Sequence, residues 1–374
     1  MYLALASEVA SCERAVARRL THQLAKDGLW RDFSLQPGQS DCWASAWIGW
    51  GLAHAPPDPS VSWALRAVTT ALLRCVKQDG WGYNQLTGCD ADSTAWVVRL
   101  FAVTNPVAAR QALPALQRYV DPSGEAHTFA DAELGRWSAA HADVTAMVGL
   151  AQLDADATRY GGTAATSAFH PIVGGAIGSS QYNAQSDDAR AGYGGIGVTE
   201  RIRRAILARA AISWPPQNFW WGNPAYGLAW TLAFLARSGG VPQAVASSSS
   251  VWLDDHSGCD MAPCDHALDL LGLLGLGRAS DELATWHVCR LLAACRTDAW
   301  DGTARLLVPP KRLTDGIDPS GPANADSGAM TSSLVLAALA RWRRAIADVA
   351  SQRSAFPAMA ARAVSSPHQS GALS

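Results

Sequence analysis

The chain has 374 residues, of which 49% are hydrophobic and 17% are charged, and it contains 16 Trp. So little charge beside so many aromatic side chains excludes a disordered chain and indicates a large buried core. The formal net charge of −2, with dispersed Lys and Arg, excludes a surface built for a polyanion, so we expect no nucleic-acid partner.

The targeting signals in the sequence are weak. Apolar runs long enough to cross a bilayer, about 18 residues, are absent, so the sequence predicts no transmembrane segment and leaves peripheral membrane contact open. Residues 1–6 are mildly apolar, but Glu8, Glu13 and Arg14 follow at once, which is not the pattern of a secretory leader. We therefore expect a cytoplasmic protein whose eight cysteines are reduced, with few or no disulfides.

Two kinds of helix alternate along the chain. Amphipathic helices are predicted at 8–24, 61–76, 107–119, 199–212, 282–294 and 340–349. More apolar helices are predicted at 42–52, 93–101, 145–153, 225–236, 264–276 and 327–339. Alternating β-branched segments are scarce, so the fold class is predicted to be all-α.

The starts of the apolar helices form an internal repeat. Ser-Asp-Cys-Trp-Ala-Ser-Ala-Trp at 40–47 matches Cys-Asp-Ala-Asp-Ser-Thr-Ala-Trp at 89–96; 141–147 and 324–330 fit the same frame, and 223–230 and 264–270 are weaker copies. Most copies follow a loop that carries Trp, and these loop residues are expected to hold each hairpin together: Trp30, Trp81, Trp220, Trp221, Trp252 and Trp300.

Six hairpins, each with an apolar inner and an amphipathic outer helix, are predicted to close into one α/α toroid, an (α/α)6 barrel, over residues 1–350. The N-termini of the inner helices, with their Asp residues, would then share one mouth. The Gly- and Ser-rich segment 161–197 interrupts the repeat and is either a surface insertion or a lid over that mouth. Residues 351–374 are expected to be a flexible tail.

The loop Asp-Gly-Trp-Gly-Tyr-Asn at 79–84 and the box Asp-Ala-Asp-Ser-Thr-Ala at 90–95 resemble the squalene–hopene cyclase and prenyltransferase repeat superfamily. The box is similar to the Asp-x-Asp-Asp-Thr-Ala box of class II terpene cyclases. The resemblance implies a terpenoid cyclase-like toroid, an isomerase or lyase of isoprenoid or other natural-product biosynthesis. It also implies that Asp92, the middle Asp, is the general acid that protonates a terminal alkene or epoxide.

Two features depart from that family. Ser93 stands where the family has a further Asp, and the chain is long enough for one toroid where these cyclases generally use two helical domains. A role in helix capping is the alternative for Asp92, because Asp143 and Asp326 share its place in the repeat.

The chemistry of an alkene-protonating acid supports Asp92 independently of the resemblance. Such an acid must stay protonated in an apolar cavity and needs a partner that stabilises its conjugate base. Asp90 is the expected partner near a helix N-terminus, and Ser93 or a water molecule would orient the proton. Residues expected to bind the hydrophobic substrate and its carbocation, inside the toroid or at its mouth, are Trp43, Trp47, Trp96, Trp230, Asp143 and Asp326.

A zinc site is the main alternative, and it lies in segment 254–266. Cys259, Cys264 and His266 have the chemistry of zinc ligands and would leave one position open, as in zinc-dependent prenyltransferase-like or lanthipeptide-cyclase-like enzymes. The spacing Cys-x4-Cys-x-His is not a standard one. A polar loop in which Asp265 caps the next helix explains the same residues.

The sequence thus predicts proton-initiated cyclisation of an isoprenoid or another polyene, without a metal or cofactor. A substrate with a diphosphate would bring Mg²⁺, and the candidate clamps are Arg201, Arg203, Arg204, Lys311 and Arg312. Two further alternatives stay open: a sugar hydrolase that uses Glu125 and Glu133, and a non-catalytic toroid that binds a hydrophobic ligand.

Overall fold

A computed structural model of the protein describes residues 2–78, 80–158, 197–258, 260–307 and 324–364. The α-helices are α1 (Tyr2–His22), α2 (Cys42–Leu52), α3 (Pro59–Arg74), α4 (Ala91–Thr104), α5 (Pro106–Gln117), α6 (Ala142–Ala157), α7 (Val198–Ile212), α8 (Ala225–Arg237), α9 (Gln243–His256), α10 (Pro263–Gly275), α11 (Glu282–Ala294) and α12 (Ala329–Val364). Two short antiparallel pairs, β1 (Asp32–Leu35) with β2 (Gly38–Ser40) and β3 (Arg305–Leu306) with β4 (Asn324–Ala325), lie in the loops.

The apolar helices form a closed inner ring. Within the described residues, α2 packs on α4, α4 on α6, α6 on α8, α8 on α10, α10 on α12, and α12 returns to α2. All 11 residues of α2 are buried, which explains why its sequence is apolar on every side. The other six described helices pack outside this ring: α1 on α12, α3 on α2, α5 on α4, α7 on α6, and α9 and α11 on α10. The predicted all-α toroid is therefore confirmed.

Hydrogen bonds join each hairpin to the next around one end of the ring. They run from Ser40 Oγ to Tyr83 O (3.0 Å), Ala91 N to Thr128 O (2.9 Å), Phe219 N to Asp143 Oδ2 (3.2 Å), Asn223 Nδ2 to Asp265 Oδ1 (2.9 Å), Cys264 N to Thr303 Oγ1 (3.0 Å) and Ser327 N to Asp32 Oδ1 (2.7 Å). Because all these groups lie at or before the start of an inner helix, the six N-termini share one mouth, as the repeat predicts.

Three loop tryptophans tie an outer helix to the inner helix that follows it. Their indole N–H groups donate to carbonyls near the end of the preceding outer helix: Trp30 to Leu20 (2.9 Å), Trp81 to Leu72 (2.8 Å) and Trp300 to Leu291 (2.8 Å). All three side chains are buried, so the bonds are shielded from water.

Near the start of each of four inner helices, a hydroxyl group bonds the loop that precedes the helix. The Thr94 hydroxyl accepts from Trp81 N (3.1 Å) and donates to Trp81 O (3.2 Å), and Ser45 makes the same pair of bonds with Trp30. Ser332 accepts from Trp300 N, and Thr145 from Ala126 N. These four hydroxyls therefore occupy equivalent positions in the repeats.

Replacing Thr94 by Val is expected to lower the free energy of unfolding by about 1–3 kcal/mol, because two buried backbone groups of Trp81 lose their partner. The matched control is Thr70→Val, since the exposed Thr70 hydroxyl donates to Arg66 O within its own helix. Urea denaturation measures both variants, and an equal loss in the two would contradict the repeat anchor.

Two predicted helix features are wrong. The sequence places Trp252 in a loop, but it lies in α9, whose Ser-rich first half hides the helical pattern because Ser has only a modest helix propensity. Segments 327–339 and 340–349 are predicted as separate helices, but α12 is continuous, since no Gly or Pro interrupts it before Pro357. This helix continues to Val364, into the segment predicted as a tail.

Several predicted features lie outside the described residues. They are residues 161–196 of the Gly-rich segment, Cys259, Lys311 and Arg312. Gly197, the last residue of the predicted insertion, is the N-cap of α7.

The sequence also predicts reduced cysteines and no bilayer-spanning segment. The seven cysteines among the described residues are free thiols, and the Sγ atoms of Cys12 and Cys295 lie 3.7 Å apart. Among the described helices, none combines the length and the apolar character that crossing a bilayer requires.

Candidate active site

Asp92 lies in the first turn of α4, and its carboxyl interacts with side chains of three other inner helices, α2, α6 and α8. Trp43 of α2 donates its indole N–H to Asp92 Oδ2 at 2.9 Å. Asp143 of α6 and Tyr226 of α8 are close enough to interact with the Asp92 carboxyl electrostatically. The Asp92 side chain is half-buried, so it keeps an accessible part at the mouth of the ring.

The surroundings of Asp92 favour its neutral form. Burial raises the pKa of Asp92 well above its ordinary value, and the charges of Asp90 and Asp143 raise it further. The hydrogen bond from Trp43 and the charge of Arg99 act in the opposite direction. Its surroundings therefore hold the pKa of Asp92 well above that of an ordinary Asp carboxyl, and an indole N–H is in place to stabilise the carboxylate when the proton leaves.

Asp90 is the N-cap of α4. Its Oδ1 accepts from Ser93 N and its Oδ2 from the Ser93 hydroxyl, both at 2.7 Å. Burial raises the pKa of Asp90 to about 6, so this carboxyl is charged at neutral pH. The charge sits beside Asp92, whereas the hydroxyl of Ser93 is directed to Asp90 and completes the cap.

Backbone N–H groups hold the other two predicted carboxylates. Asp143 accepts from Val144 N, Phe219 N and Trp220 N at 3.1–3.3 Å. Asp326 accepts from Gly328 N, Thr331 N and Ala304 N at 2.7–3.2 Å. Such contacts are typical of structural carboxylates.

Asp326 occupies a different position in the repeat from that of Asp92 and Asp143. Asp92 and Asp143 each stand two residues before an anchoring hydroxyl, that of Thr94 or Thr145, whereas Asp326 precedes Ser332 by six. The shared repeat position expected for these three carboxylates therefore does not hold for Asp326. Asp92 differs from both in that it accepts a hydrogen bond from a side chain of a neighbouring helix, the Trp43 indole of α2.

Aromatic side chains fill the ring one turn below Asp92. Trp96 follows Asp92 by four residues on α4, Trp47 follows Trp43 by four on α2, and their ring centroids lie 4.3 Å apart. Trp221, from the loop before α8, stacks on Trp47 at 5.1 Å and on Tyr226 at 4.2 Å. We call Trp47, Trp96, Trp221 and Tyr226 the aromatic layer.

The predicted substrate-binding tryptophans thus occupy two environments. Trp47 and Trp96 belong to the aromatic layer, and Trp230, below it, lies 5.5 Å from Trp96; all three are fully buried against other rings. Trp43 lies at the mouth, beside Phe33 at 5.7 Å and Tyr83 at 5.9 Å.

A buried cation supports the layer from below. The Arg99 guanidinium lies 4.5 Å from the ring centre of Trp50, 4.9 Å from that of Trp96 and 5.0 Å from that of Trp230. Its Nε bonds Asp154 Oδ2 at 2.9 Å. Burial alone would raise the pKa of Asp154, but Arg237 and Arg99 bring it below its ordinary value.

Four residues of this region are not among the predicted site residues: Trp50, Arg99, Tyr226 and Trp221, the last of which is predicted only to hold its hairpin together. Helical spacing was a usable signal for two of them, since Trp50 and Arg99 stand seven residues after Trp43 and Asp92 and therefore on the same helix faces. Trp221 and Tyr226 carry no comparable signal, because a loop before α8 brings them into the ring.

The predicted zinc ligands take part in other contacts. His266 Nδ1 lies 3.0 Å from His287 Nδ1, and the Cys264 amide donates to Thr303. Among the described residues, no three His, Cys, Asp or Glu side chains are grouped to hold a metal ion, and Cys259 lies outside that part of the chain. Asp265 accepts from Asn223 and gives α10 no side-chain cap.

Two more sets of predicted residues form hydrogen bonds or ion pairs within the fold. Arg203 donates to Gly240 O at 2.8 Å, and Arg204 pairs with Glu200 on the same helix. Glu125, one of the two glutamates considered for a sugar hydrolase, pairs with Arg209 of α7.

The same fold occurs in solved structures of other proteins. No protein-family model matches the chain, and no curated protein matches it. A variant of the type II terpene cyclase MstE from Scytonema, in complex with its substrate geranylgeranyl dihydroxybenzoate, is 18% identical; the match covers 92% of this chain and 100% of that chain with a TM-score of 0.69.

Two other structures are similar at comparable coverage. A protein from Actinoplanes is 21% identical over 89% of this chain and 99% of its own, with a TM-score of 0.66. An unsaturated glucuronyl hydrolase specific for heparin is 10% identical over 90% and 97%, with a TM-score of 0.54. The chain therefore has the terpenoid cyclase-like α/α toroid fold that the sequence resemblance predicts.

Proposed function

We propose that this protein is a terpene cyclase-like enzyme that protonates the terminal alkene of an acyclic isoprenoid or related polyene with Asp92. The environment of Asp92 is the observation that carries the proposal. Its carboxyl has a pKa raised by burial and by neighbouring carboxyls, is contacted by the Trp43 indole, and lies one helical turn from aromatic rings. A carboxyl with only a capping role would bind the backbone N–H groups of its own helix, as Asp90 does.

The proposed step balances within the substrate. The Asp92 proton adds to the terminal alkene carbon, and the tertiary cation that forms is attacked by the next double bond, which closes a ring. Loss of a proton from the cyclic cation gives an isomer of the substrate. Trp43 N–H stabilises the Asp92 carboxylate, and indole faces stabilise the cation, so the step needs no metal or cofactor.

The solved relatives support this proposal at the level of architecture. MstE is a type II terpene cyclase whose matched chain is covered over its full length by one toroid of this kind. A second MstE structure holds merosterolic acid A, its product, and matches with a TM-score of 0.69. One toroid is therefore sufficient for a cyclase of this type, so a chain that is long enough for only one toroid is compatible with the proposal.

The test is incubation of the purified protein with acyclic farnesyl and geranylgeranyl substrates, free and attached to an aromatic ring, in D₂O. The expected product has one double bond fewer and carries one deuterium from the solvent-exchanged Asp92, as read by mass spectrometry. Recovery of every substrate unchanged by a folded protein would contradict the proposal.

The pH profile of turnover gives a further prediction. Because the pKa of Asp92 is raised, turnover is expected to persist to a higher pH than an ordinary Asp carboxyl would allow, and to fall once Asp92 loses its proton. Asp90→Asn removes a negative neighbour and so lowers the pKa of Asp92, which moves this fall in turnover to lower pH. Asn also caps helices well, so α4 is kept. An unmoved profile would exclude electrostatic coupling between the two carboxyls.

A further inference from the structure

We infer that Cys12 and Cys295 are a modification site, a pair of thiols that disulfides of the glutathione class oxidise to an intramolecular disulfide bond. Cys12 lies on α1, and Cys295 is the C-cap of α11. These helices belong to the first and the last hairpin of the ring, which meet where α12 packs on α1 and α2, and we call this place the seam. The site is separate from the candidate active site, so the inference does not rest on the proposed function.

The two sulfur atoms are in contact at the seam. Cys12 Sγ lies 3.7 Å from Cys295 Sγ, and the sulfur atoms of a disulfide bond are about 2.05 Å apart. The gap to be closed is therefore about 1.7 Å, which is less than the range of about 2.4 Å over which Cα separations vary among disulfide bonds. Both side chains are partly exposed, so a small oxidant can reach them.

Hydrogen bonds at both ends of α1 hold it beside the last hairpin. Near the start of α1, the Tyr2 hydroxyl donates to Ser280 O at 2.8 Å, just before α11 begins. Near the end of α1, Arg19 Nη1 donates to Thr297 O at 2.7 Å, just after α11 ends. Cys12 lies between these two bonds along α1, so its position next to α11 is kept by contacts that neither cysteine makes.

The two thiols differ in reactivity. Cys12 donates its S–H to Cys295 Sγ, and this hydrogen bond lowers the pKa of Cys295 below that of an ordinary thiol, against the opposing effect of burial. The same hydrogen bond, together with burial, raises the pKa of Cys12. The thiolate is the nucleophile in thiol–disulfide exchange, so Cys295 is the residue that attacks an oxidant first.

The oxidation takes two exchange steps. The Cys295 thiolate attacks one sulfur of the oxidant, which forms a mixed disulfide on Cys295 and releases one thiolate. Cys12, as its thiolate, then attacks the Cys295 sulfur, which forms the intramolecular bond and releases the second thiolate. The two cysteines lose two electrons and two protons, and the oxidant takes both up to become two thiols.

The experiment incubates the full chain with oxidised glutathione in a mildly alkaline buffer and digests it without reductant. Mass spectrometry is expected to find the peptides of Cys12 and Cys295 linked, and the thiols that iodoacetamide alkylates after denaturation should fall by two from the eight of the sequence. The oxidised protein is also expected to unfold at a temperature at least about 5 °C higher. The reason is that the cross-link closes a loop over most of the chain and so lowers the entropy of the unfolded state.

Cys12→Ser tests the order of the two steps. This variant is expected to stop at the mixed disulfide, with one glutathione on Cys295, and to gain no thermal stability on oxidation. Cys295→Ser is expected to leave Cys12 unmodified, because the raised pKa of Cys12 keeps it a thiol. Cys12→Ala is the second variant should Cys12→Ser fail to fold.

The matched control is Cys289→Ser, which removes an exposed thiol from the same helix, α11. This variant should form the Cys12–Cys295 linkage to the same extent as the wild type and show the same rise in unfolding temperature. A wild-type protein that keeps both thiols after oxidation, a linkage that joins other cysteines, or loss of the linkage in Cys289→Ser would each overturn the inference. Failure of the proposed function is distinguishable, because these measurements involve no isoprenoid substrate.

Discussion

Replacing Asp92 by Asn is expected to lower cyclisation turnover by at least about 10³-fold, because an amide has no proton to give to an alkene. The shape of the side chain is retained, and the Asn carbonyl still accepts from Trp43 N–H. The loss of turnover is therefore due to the missing acidic proton and not to a change in the fold. Product formation measured by mass spectrometry checks this. Asp254→Asn, at an exposed ion pair with Arg278 on the outer surface, is the control and should turn over normally.

The same Asp92 variant is expected to be more stable than the wild type. In the folded protein Asp92 keeps its proton, whereas the unfolded chain releases it near the ordinary pKa of 3.8. Folded protein thus binds more protons above that pH, so wild-type stability falls as the pH rises, by at most about 1.4 kcal/mol per pH unit, until the folded pKa is passed.

Asn does not titrate, so the gain in thermal stability of Asp92→Asn over the wild type should be larger at pH 8 than at pH 5. Thermal unfolding at both values measures the difference. A variant that is inactive and less stable at both pH values would indicate a structural role for Asp92. Wild-type turnover by a folded Asp92→Asn protein would exclude Asp92 as the acid.

Replacing Asp154 by Asn is expected to destabilise the protein by about 3–5 kcal/mol, the largest stability effect that we predict. Asp154 forms ion pairs with Arg99 at 2.9 Å and with Arg237 at 2.6 Å. Because Asn carries no charge, the variant leaves the fully buried Arg99 guanidinium without its counter-charge. Because Arg99 lies against Trp50, Trp96 and Trp230, the near-ultraviolet circular dichroism of the tryptophans should change as well.

The control for Asp154 is Glu200→Gln. Glu200 pairs with Arg204 on the exposed face of α7, where both side chains are about half exposed, at 48% and 60%. Exposed pairs of this kind contribute at most about 1 kcal/mol. Urea denaturation compares the two variants. A loss below 1 kcal/mol in Asp154→Asn would show that the charge network does not support the aromatic layer.

Much of the ring could be predicted from the sequence because its signals are local. The predicted helix at 42–52 coincides with α2 and that at 282–294 with α11, since each has a continuous pattern of apolar or amphipathic spacing bounded by polar residues. The pattern predicts no helix at α9 because four consecutive serines weaken it, and it predicts two helices within α12 because the polarity changes along that helix.

The candidate site was predicted in part. The spacing of Asp90 and Asp92 identified both carboxyls, and the structure gives them different surroundings: Asp90 binds the backbone of α4, while Asp92 faces α2, α6 and α8. No pattern within α4 distinguishes these surroundings, because they depend on which residues the neighbouring helices present.

The sequence by itself determined the helical repeat, the common mouth and the position of Asp92, because capping, helical periodicity and loop tryptophans act over a few residues. Only the tertiary structure decided that the expected Trp-lined chamber is closed one turn below the acid. Trp47 and Trp221 are far apart in the chain, and they come into contact only when the ring of inner helices closes. No local pattern encodes this packing across the ring, so only the tertiary structure decides which aromatic side chains fill its interior.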